Sequence, residues 1–227
     1  IFGGNDSIND KVNDIKKIQY PKKYSQIVEK YSDLYDVDDN LVYAVIRTES
    51  HFKPDSKSGA GAKGLMQITP ECFEFLQNNI PNDKTKYKES DLYDPEVNIK
   101  FGTYFLSYLL DRYDNVEKTA VAAYNAGFGA VDNWLNDPEC SLDGKTLSVI
   151  VYPETENYVE KVESAKKIYI AAASKLSNHA ATAFAFTRSI ACRIPTHTDK
   201  SVNTSTMLPW SVNGASCKTD KSFIIPL

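Results

Sequence analysis

Apolar residues at helical spacing dominate this sequence from Tyr24 to Tyr169, and they constrain the fold more than any other feature. They recur every three or four positions, which places them on one face of successive helices. The longest such stripe runs from Val97 to Tyr108 and predicts the core helix. Only the segment 147–152 is locally β-branched, which is too little for a sheet core. The sequence therefore predicts a mainly α-helical fold with little or no sheet.

Capping signals divide this pattern into six predicted helices. Thr69 and Asp94 each stand before a proline, which puts a capping side chain ahead of a proline in the first helical turn. Gly127 is suited to end the fifth helix and leaves a short turn behind it. The first helix is predicted over about 24–35, the second from 38 or 39 to about 50 and the third from 70 to about 79. The fourth starts after Asp94 and is predicted to be the longest. The fifth carries Val121 and Tyr124, and the sixth starts near Glu154.

Charge divides the chain into unequal parts. Residues 1–172 carry 20 basic and 28 acidic side chains, whereas residues 173–227 carry 6 and 2. We interpret residues 1–20 as a polar N-terminal arm and residues 21–172 as the helical domain. The remainder is an atypical tail, either a natural, poorly ordered extension or a linker left from expression. Because the chain begins at Ile1 rather than Met, we expect an upstream anchor or further domain.

The composition argues against several kinds of partner. The 26 basic residues are scattered and outnumbered by 30 acidic ones, which argues against nucleic acid. Three histidines, and four cysteines without a C-x-x-C spacing, argue against a metal site. No run approaches the length of a membrane span. We therefore expect a monomer that needs neither metal nor cofactor.

Glu49 is the most informative single residue. It follows Val45 by four positions and Ile46 by three, so a helix places its carboxyl on the apolar stripe. Burial and the negative end of the helix dipole both disfavour the anion and raise the pKa. A carboxyl that stays protonated near neutral pH can act as a general acid. The alternative is that Glu49 is only the solvated end of a helix, and periodicity alone does not decide between the two.

Two further segments combine small residues with polar side chains. Residues 61–67 place two glycines near a Leu-Met pair and a glutamine, an arrangement that lets backbone pass close to a ligand. Residues 123–127 set Tyr124 and Asn125 between small residues, as in many sugar-binding walls, although a helix C-terminus also explains an asparagine near a glycine. Tyr158 alone is by default a core tyrosine.

Taken in order, these motifs resemble those of the soluble lytic transglycosylase family. The resemblance implies a lysozyme-like helical fold with a glycan-binding cleft. It also implies cleavage of peptidoglycan glycan strands between N-acetylmuramic acid and N-acetylglucosamine, outside the cytoplasm. The matching positions are Glu49-Ser50, the loop with Pro54 and Ser58, residues 61–67, Asn98 with Gly102, residues 123–127 and residues 154–159.

The same resemblance assigns roles to individual residues. It implies that Glu49 is the single catalytic residue, which protonates the glycosidic oxygen and then takes the proton of the muramic 6-hydroxyl. That hydroxyl attacks C1 and leaves a 1,6-anhydro end. The other matching positions are expected to line the glycan cleft; they are Ser50, Met66, Gln67, Tyr124, Asn125 and Tyr158.

Two alternatives to this activity stay open. A goose-type lysozyme would share the fold and the single acid but would hydrolyse the bond, and an inactive module of a cell-wall machine would only bind glycan. Hydrolysis by the two-carboxylate routes needs a second carboxylate roughly 5 to 10 Å from the first. No motif places Asp55, Asp94 or Glu154 across the cleft, which favours an intramolecular nucleophile.

Overall fold

Helices make up almost all regular structure in this protein. The computed structural model describes residues 20–81 and 83–191, the last of them, from 175 on, as backbone only. The described residues form seven α-helices, one 3₁₀ helix and no β-strand, so the mainly helical prediction is confirmed. The helices are α1 (Ser25–Tyr35), α2 (Asp39–Ser50), α3 (Pro70–Asn79), the 3₁₀ helix (Glu89–Tyr93), α4 (Pro95–Arg112), α5 (Glu117–Ala126), α6 (Phe128–Leu135) and α7 (Pro153–Ala191).

The chain divides into two compact units, Ile1–Ala183 and Phe184–Leu227. All the side-chain contacts described below lie in the first unit. Across the part of the chain that the structure describes, no helix is both long enough and apolar enough to cross a membrane.

Side-chain caps start the helices where the sequence predicts them. The Asp38 carboxylate accepts the backbone N–H of Asn40 at 2.9 Å, and the Thr69 hydroxyl accepts that of Cys72 at 3.2 Å. Asp94 caps α4 in the same way, through two backbone N–H groups. Each such cap is worth about 1 kcal/mol to a helix. Asp94 is therefore committed to the fold.

Two predictions of helix length are wrong. The helix that follows Asp94 has 18 residues, whereas α7 has 39 and continues past Ala173, the first residue of the predicted tail. No glycine or proline interrupts the sequence between Pro153 and Ala191, so local propensity permits this length without a sustained apolar stripe. The segment after Gly127 is not a short turn but the eight-residue helix α6, in which Trp134 is buried.

Helix α4 is the core helix, as predicted. It packs against α1, α3, α5 and the 3₁₀ helix. The loop between α2 and α3, residues 51–69, lies over the N-terminal half of α4 and contains two isolated antiparallel bridges, Lys57 to Lys63 and Lys63 to Ile68. Every residue of the predicted site lies in one of four places: the end of α2, this loop, α5 or the start of α7.

Candidate active site

Glu49 lies in the last turn of α2, half-buried, and meets a tyrosine from α7. The Tyr158 hydroxyl donates a hydrogen bond of 2.7 Å to Glu49 Oε1. Burial raises the pKa of Glu49 from 4.5 to about 7, while the hydrogen bond from Tyr158 favours the carboxylate and opposes the rise. No carboxylate among the described residues contributes to this rise. The carboxyl can therefore both hold and release a proton near neutral pH.

This pKa predicts a pH-dependent stability for the Glu49→Gln variant relative to wild type. Because the folded pKa of about 7 exceeds 4.5, the stability that Glu49 contributes is complete below pH 4.5 and is lost as pH rises through 7. The two pKa values set an upper limit of about 3 kcal/mol on that loss. Urea unfolding at about pH 5 and about pH 8 should show the variant gaining stability relative to wild type at the higher pH. An equal difference at both pH values would contradict the shifted pKa.

Ser50, the neighbour of Glu49, joins α2 to the following loop. Its side chain is buried, and its hydroxyl lies 2.7 Å from the Leu65 carbonyl oxygen and 3.2 Å from that of Ile46. The adjacent carbonyl, that of Met66, accepts the Tyr124 hydroxyl at 2.8 Å. Two consecutive loop carbonyls thus hold the end of α2 and the end of α5.

Asn98 of α4 holds that loop in place from below. Its side chain is fully buried, and its Oδ1 accepts the Met66 backbone N–H at 2.7 Å. Its Nδ2 donates to the carbonyl oxygens of Lys63 and Leu92, at 2.9 and 2.8 Å. All three bonds go to backbone groups. Asn98 therefore sets the position of the loop whose carbonyls hold Ser50 and Tyr124.

Two glycines allow the loop to pack closely against α4. Gly64 has φ +78°, and a Cβ there would overlap the Asn98 amide and the Leu92 carbonyl. A Cβ on Gly102 would overlap the side chain of Met66, which is fully buried against it. The glycines are needed for close packing of the loop on α4 as well as for the turn.

The predicted site residues divide into two groups. Glu49 and Tyr158 are in direct contact. Burial raises the pKa of Tyr124, and the charge of Glu49 adds to that rise. Ser50 and Met66 are buried, which differs from the expectation that they line a cleft, because the packing of the loop on α4 encloses both. We propose positioning roles for these two.

Gln67 is half-buried, and its amide group donates to the carbonyl oxygens of Gly64 and Ser56 at 2.8 and 3.2 Å. Its backbone is left-handed, with φ +48°. For a residue other than glycine this conformation is uncommon, and such strain often occurs at functional sites. A contact between Gln67 and substrate stays a prediction.

Asn125 lies on an open groove between the end of α2 and the start of α7. The groove has a volume of about 580 Å³, and Asn125 and Tyr158 both line it. The Asn125 side-chain oxygen accepts the hydroxyl of Thr155 at 2.7 Å. Thr155 belongs to a matching motif but received no role from the sequence. Thr155 precedes Tyr158 by three residues, so the two share a helix face, and this spacing could have indicated a role for Thr155.

Across residues 20–81 and 83–191, no group of three or more His, Cys, Asp or Glu side chains is arranged to hold a metal ion.

Comparison with known proteins decides the family. The family model described as Transglycosylase SLT domain matches residues 26–143, which is more than half of the chain. The chain belongs to this family. Solved structures of family members share its fold and confirm the lysozyme-like helical class predicted from the sequence.

Several curated proteins are similar to this SLT-domain chain. The soluble lytic murein transglycosylase of Escherichia coli K12 is 33% identical over 147 residues, covering 63% of this chain and 22% of that protein. The putative soluble lytic murein transglycosylase of Haemophilus influenzae is 33% identical over 158 residues, covering 69% and 26%. The membrane-bound lytic murein transglycosylase C of Serratia proteamaculans is 30% identical, covering 65% and 46%. The chain thus spans less than half the length of these relatives.

Two solved structures illustrate the likeness in fold. The 70 kDa soluble lytic transglycosylase of Escherichia coli superposes with a TM-score of 0.60 at 29% identity, covering 72% of this chain and 26% of that chain. An inactive mutant of the lytic transglycosylase Slt from Pseudomonas aeruginosa superposes with a TM-score of 0.61 at 28% identity, covering 71% and 25%.

Proposed function

We propose that this SLT domain is a peptidoglycan lytic transglycosylase that cleaves the bond between N-acetylmuramic acid and N-acetylglucosamine and leaves a 1,6-anhydro end. The observation that carries the proposal is the Glu49 carboxyl, half-buried, bonded to Tyr158 and with a pKa of about 7. Relatives named lytic murein transglycosylases support the choice of substrate.

Glu49 acts in both steps of the proposed reaction. Its proton passes to the glycosidic oxygen as the C1–O bond breaks, which leaves a sugar cation and a carboxylate. The muramic 6-hydroxyl then forms a bond to C1, and its proton returns to Glu49. The Tyr158 hydroxyl stabilises the carboxylate between the steps, while burial keeps the acid form available. A pKa near the working pH suits a group that must give and take one proton.

The surroundings of Glu49 support an intramolecular nucleophile over a two-carboxylate mechanism. Asp94 caps α4, Asp55 is exposed in the loop, and Glu154 is exposed in the first turn of α7. A second carboxylate in direct contact with Glu49 would raise its pKa by repulsion. None of the described carboxylates does so.

Product masses test the proposal against a goose-type lysozyme. Digestion of purified peptidoglycan should yield muropeptides lighter by one water than hydrolysis products, because the 6-hydroxyl replaces water at C1. Products that carry the full water would identify a hydrolase. Wild-type protein that binds glycan but releases no muropeptide would identify an inactive binding module.

The proposed substrate also bears on the location of the protein and on the extent of its catalytic domain. Peptidoglycan lies outside the cytoplasmic membrane, so we place the domain there. Residues 21–172 form the glycan-cleaving domain, which acts as a monomer on glycan strands without metal or cofactor.

The pH dependence of cleavage should report the pKa of Glu49. Because the acid must be protonated, kcat/KM should fall about tenfold per pH unit above about pH 7. In Tyr158→Phe the carboxylate loses a stabilising bond, so the pKa of Glu49 rises and the alkaline limb moves to higher pH. We also expect kcat/KM to drop roughly 10- to 100-fold, the size of a hydrogen bond to a charged group. The pH profile of muropeptide release measures both effects.

Tyr104→Phe is the matched control, since the Tyr104 hydroxyl donates only to the Asn79 carbonyl among the described residues. It should keep the wild-type profile. An alkaline limb that stays in place or moves to lower pH in Tyr158→Phe would show that another group controls it.

A further inference from the structure

Helix α7 contacts α2 at two separate points. In the last turn of α2, Glu49 accepts the hydroxyl of Tyr158 at 2.7 Å. Nearer the start of α2, the Tyr43 ring stacks on the Tyr169 ring, with the two centroids 5.3 Å apart. Tyr158 and Tyr169 are eleven residues apart, or about three helical turns, so both lie on one face of α7. The place of Tyr169 on α2 therefore bears on the place of Tyr158.

Three residues before α1 enclose the Tyr43–Tyr169 contact. Tyr20, Pro21 and Lys22 form what we call the N-terminal strap. The Tyr20 ring meets the Tyr169 ring edge-on at 5.7 Å, and the Tyr169 hydroxyl donates to the Pro21 carbonyl at 3.3 Å. The Lys22 ammonium lies 4.9 Å from the centre of the Tyr43 ring. Both stacked tyrosines are buried, so the strap holds them from the outside.

The strap is also attached to α2 directly. The Arg47 guanidinium lies 5.2 Å from the centre of the Tyr20 ring, and the Lys22 ammonium lies 3.4 Å from the Asp39 carboxylate. Tyr20 is the last residue of the predicted N-terminal arm, yet it contacts α2 through Arg47 and α7 through Tyr169. The strap thus joins the two helices that carry the acid and its hydrogen-bond donor.

The other contacts of α7 near Tyr158 constrain its position along α2 less strictly. Val159 and Val162 are buried in the core, but apolar contacts are not directional. Lys166 pairs with Asp38 at 3.0 Å and with Glu117 at 2.5 Å, through a long side chain that tolerates small shifts of the helix. The sequence 154–191 contains no glycine or proline, so a shift at one turn of α7 carries to its neighbours.

We propose that the N-terminal strap positions the acid, with Tyr20 as the positioning residue: it holds Tyr169 on Tyr43 and so fixes α7 where Tyr158 reaches Glu49. A hydrogen bond between two such oxygens requires a separation below about 3 Å. A small displacement of α7 therefore breaks it. The proposal rests on the proposed function only for the role of Glu49 as the acid, because the bond exists without substrate.

A double-mutant cycle on the pKa of Glu49 tests the proposal without substrate. An NMR titration of isotope-labelled glutamate measures this pKa, and Glu49→Gln identifies the signal. Among the described residues, the titratable groups that face this carboxyl are Tyr158 from α7, which donates to it, and Tyr124 from α5, which donates to the Met66 carbonyl instead.

The cycle compares the effect of Tyr158→Phe in two backgrounds. In the wild-type background this substitution should raise the pKa of Glu49, because the carboxylate loses a hydrogen bond. In the Tyr20→Ala background the bond is already weakened, so the same substitution should raise the pKa by less than half as much.

Two further backgrounds serve as controls. Tyr87→Ala removes a ring with matching contacts elsewhere, since Tyr87 meets Phe101 edge-on at 5.4 Å and lies 5.3 Å from the Lys100 ammonium. Tyr20→Phe keeps the ring that contacts Tyr169. Both should leave the full effect of Tyr158→Phe, and thermal melts show that each background is folded.

The outcomes separate this proposal from the proposed function. The role of the strap is overturned if Tyr158→Phe acts undiminished in Tyr20→Ala, acts less in either control, or does not raise the pKa in the wild-type background. Any of these results holds whether or not peptidoglycan is cleaved. The expected pKa values in a protein that cleaves no peptidoglycan overturn the proposed activity and leave the role of the strap in place.

Discussion

The Glu49→Gln variant is expected to lose nearly all cleavage of peptidoglycan, with kcat/KM lowered roughly 10³- to 10⁴-fold, near the upper end of what one acid–base group contributes. Glutamine has almost the same shape, and its oxygen can still accept the hydrogen bond that Tyr158 donates to Oε1. It cannot donate a proton to the glycosidic oxygen or take one from the 6-hydroxyl. The loss therefore concerns chemistry rather than binding. Quantitative mass spectrometry of released muropeptides measures it.

Glu74→Gln is the matched control for this prediction. Glu74 is exposed on α3, and the same substitution there should leave the rate of muropeptide release unchanged. Thermal melts of both variants show whether they are folded. Activity of Glu49→Gln within about tenfold of wild type would mean that another group supplies the proton.

The Asn98→Leu variant is expected to lose roughly 3 to 6 kcal/mol of stability, because three backbone groups lose the hydrogen bond of a buried amide at once and only the Lys63 carbonyl keeps another, from the Ile68 N–H. These are the Met66 N–H and the carbonyls of Lys63 and Leu92. Leucine has the same number and branching of side-chain heavy atoms as asparagine, so the substitution leaves no cavity. Since domains are stable by only about 5–15 kcal/mol, the loss is a large part of the total. Urea unfolding followed by circular dichroism measures it.

Asn78→Leu provides the comparison for Asn98→Leu. Asn78 is exposed on α3 and its amide donates to the Glu74 carbonyl within its own helix at 3.0 Å, so its loss should change stability by less than about 0.5 kcal/mol. Similar losses in both variants would show that the loop does not depend on Asn98. In that case Asn98 would not position the carbonyls that hold Ser50 and Tyr124.

Local signals in the sequence were enough for three helix starts and for the direction of the pKa shift of Glu49. The caps at Asp38, Thr69 and Asp94 lie where the capping pattern predicts them, because a cap involves only neighbours in the chain. The position of Glu49 on an apolar stripe predicted the direction of its pKa shift. The structure attributes that shift to burial, opposed by Tyr158, which is 109 residues away in the sequence.

The roles of the other site residues depend on contacts that no local pattern contains. From the sequence, Ser50 and Met66 were expected to line a cleft, but the fold buries both: Met66 is part of the loop that Asn98 holds, and Ser50 bonds to that loop. Thr155 carried no predicted role, and its contact with Asn125 exists only because α7 brings it against the end of α5.

The sequence by itself determined the helical class and identified Glu49 as the candidate acid, since helical periodicity, capping and motif spacing are properties of short segments. The tertiary structure alone decided which side chains hold the acid, the loop and the Asn125 amide. The physical reason is that a buried polar group must find its partner wherever the packed chain provides one, and those partners here are 30 to 109 residues distant.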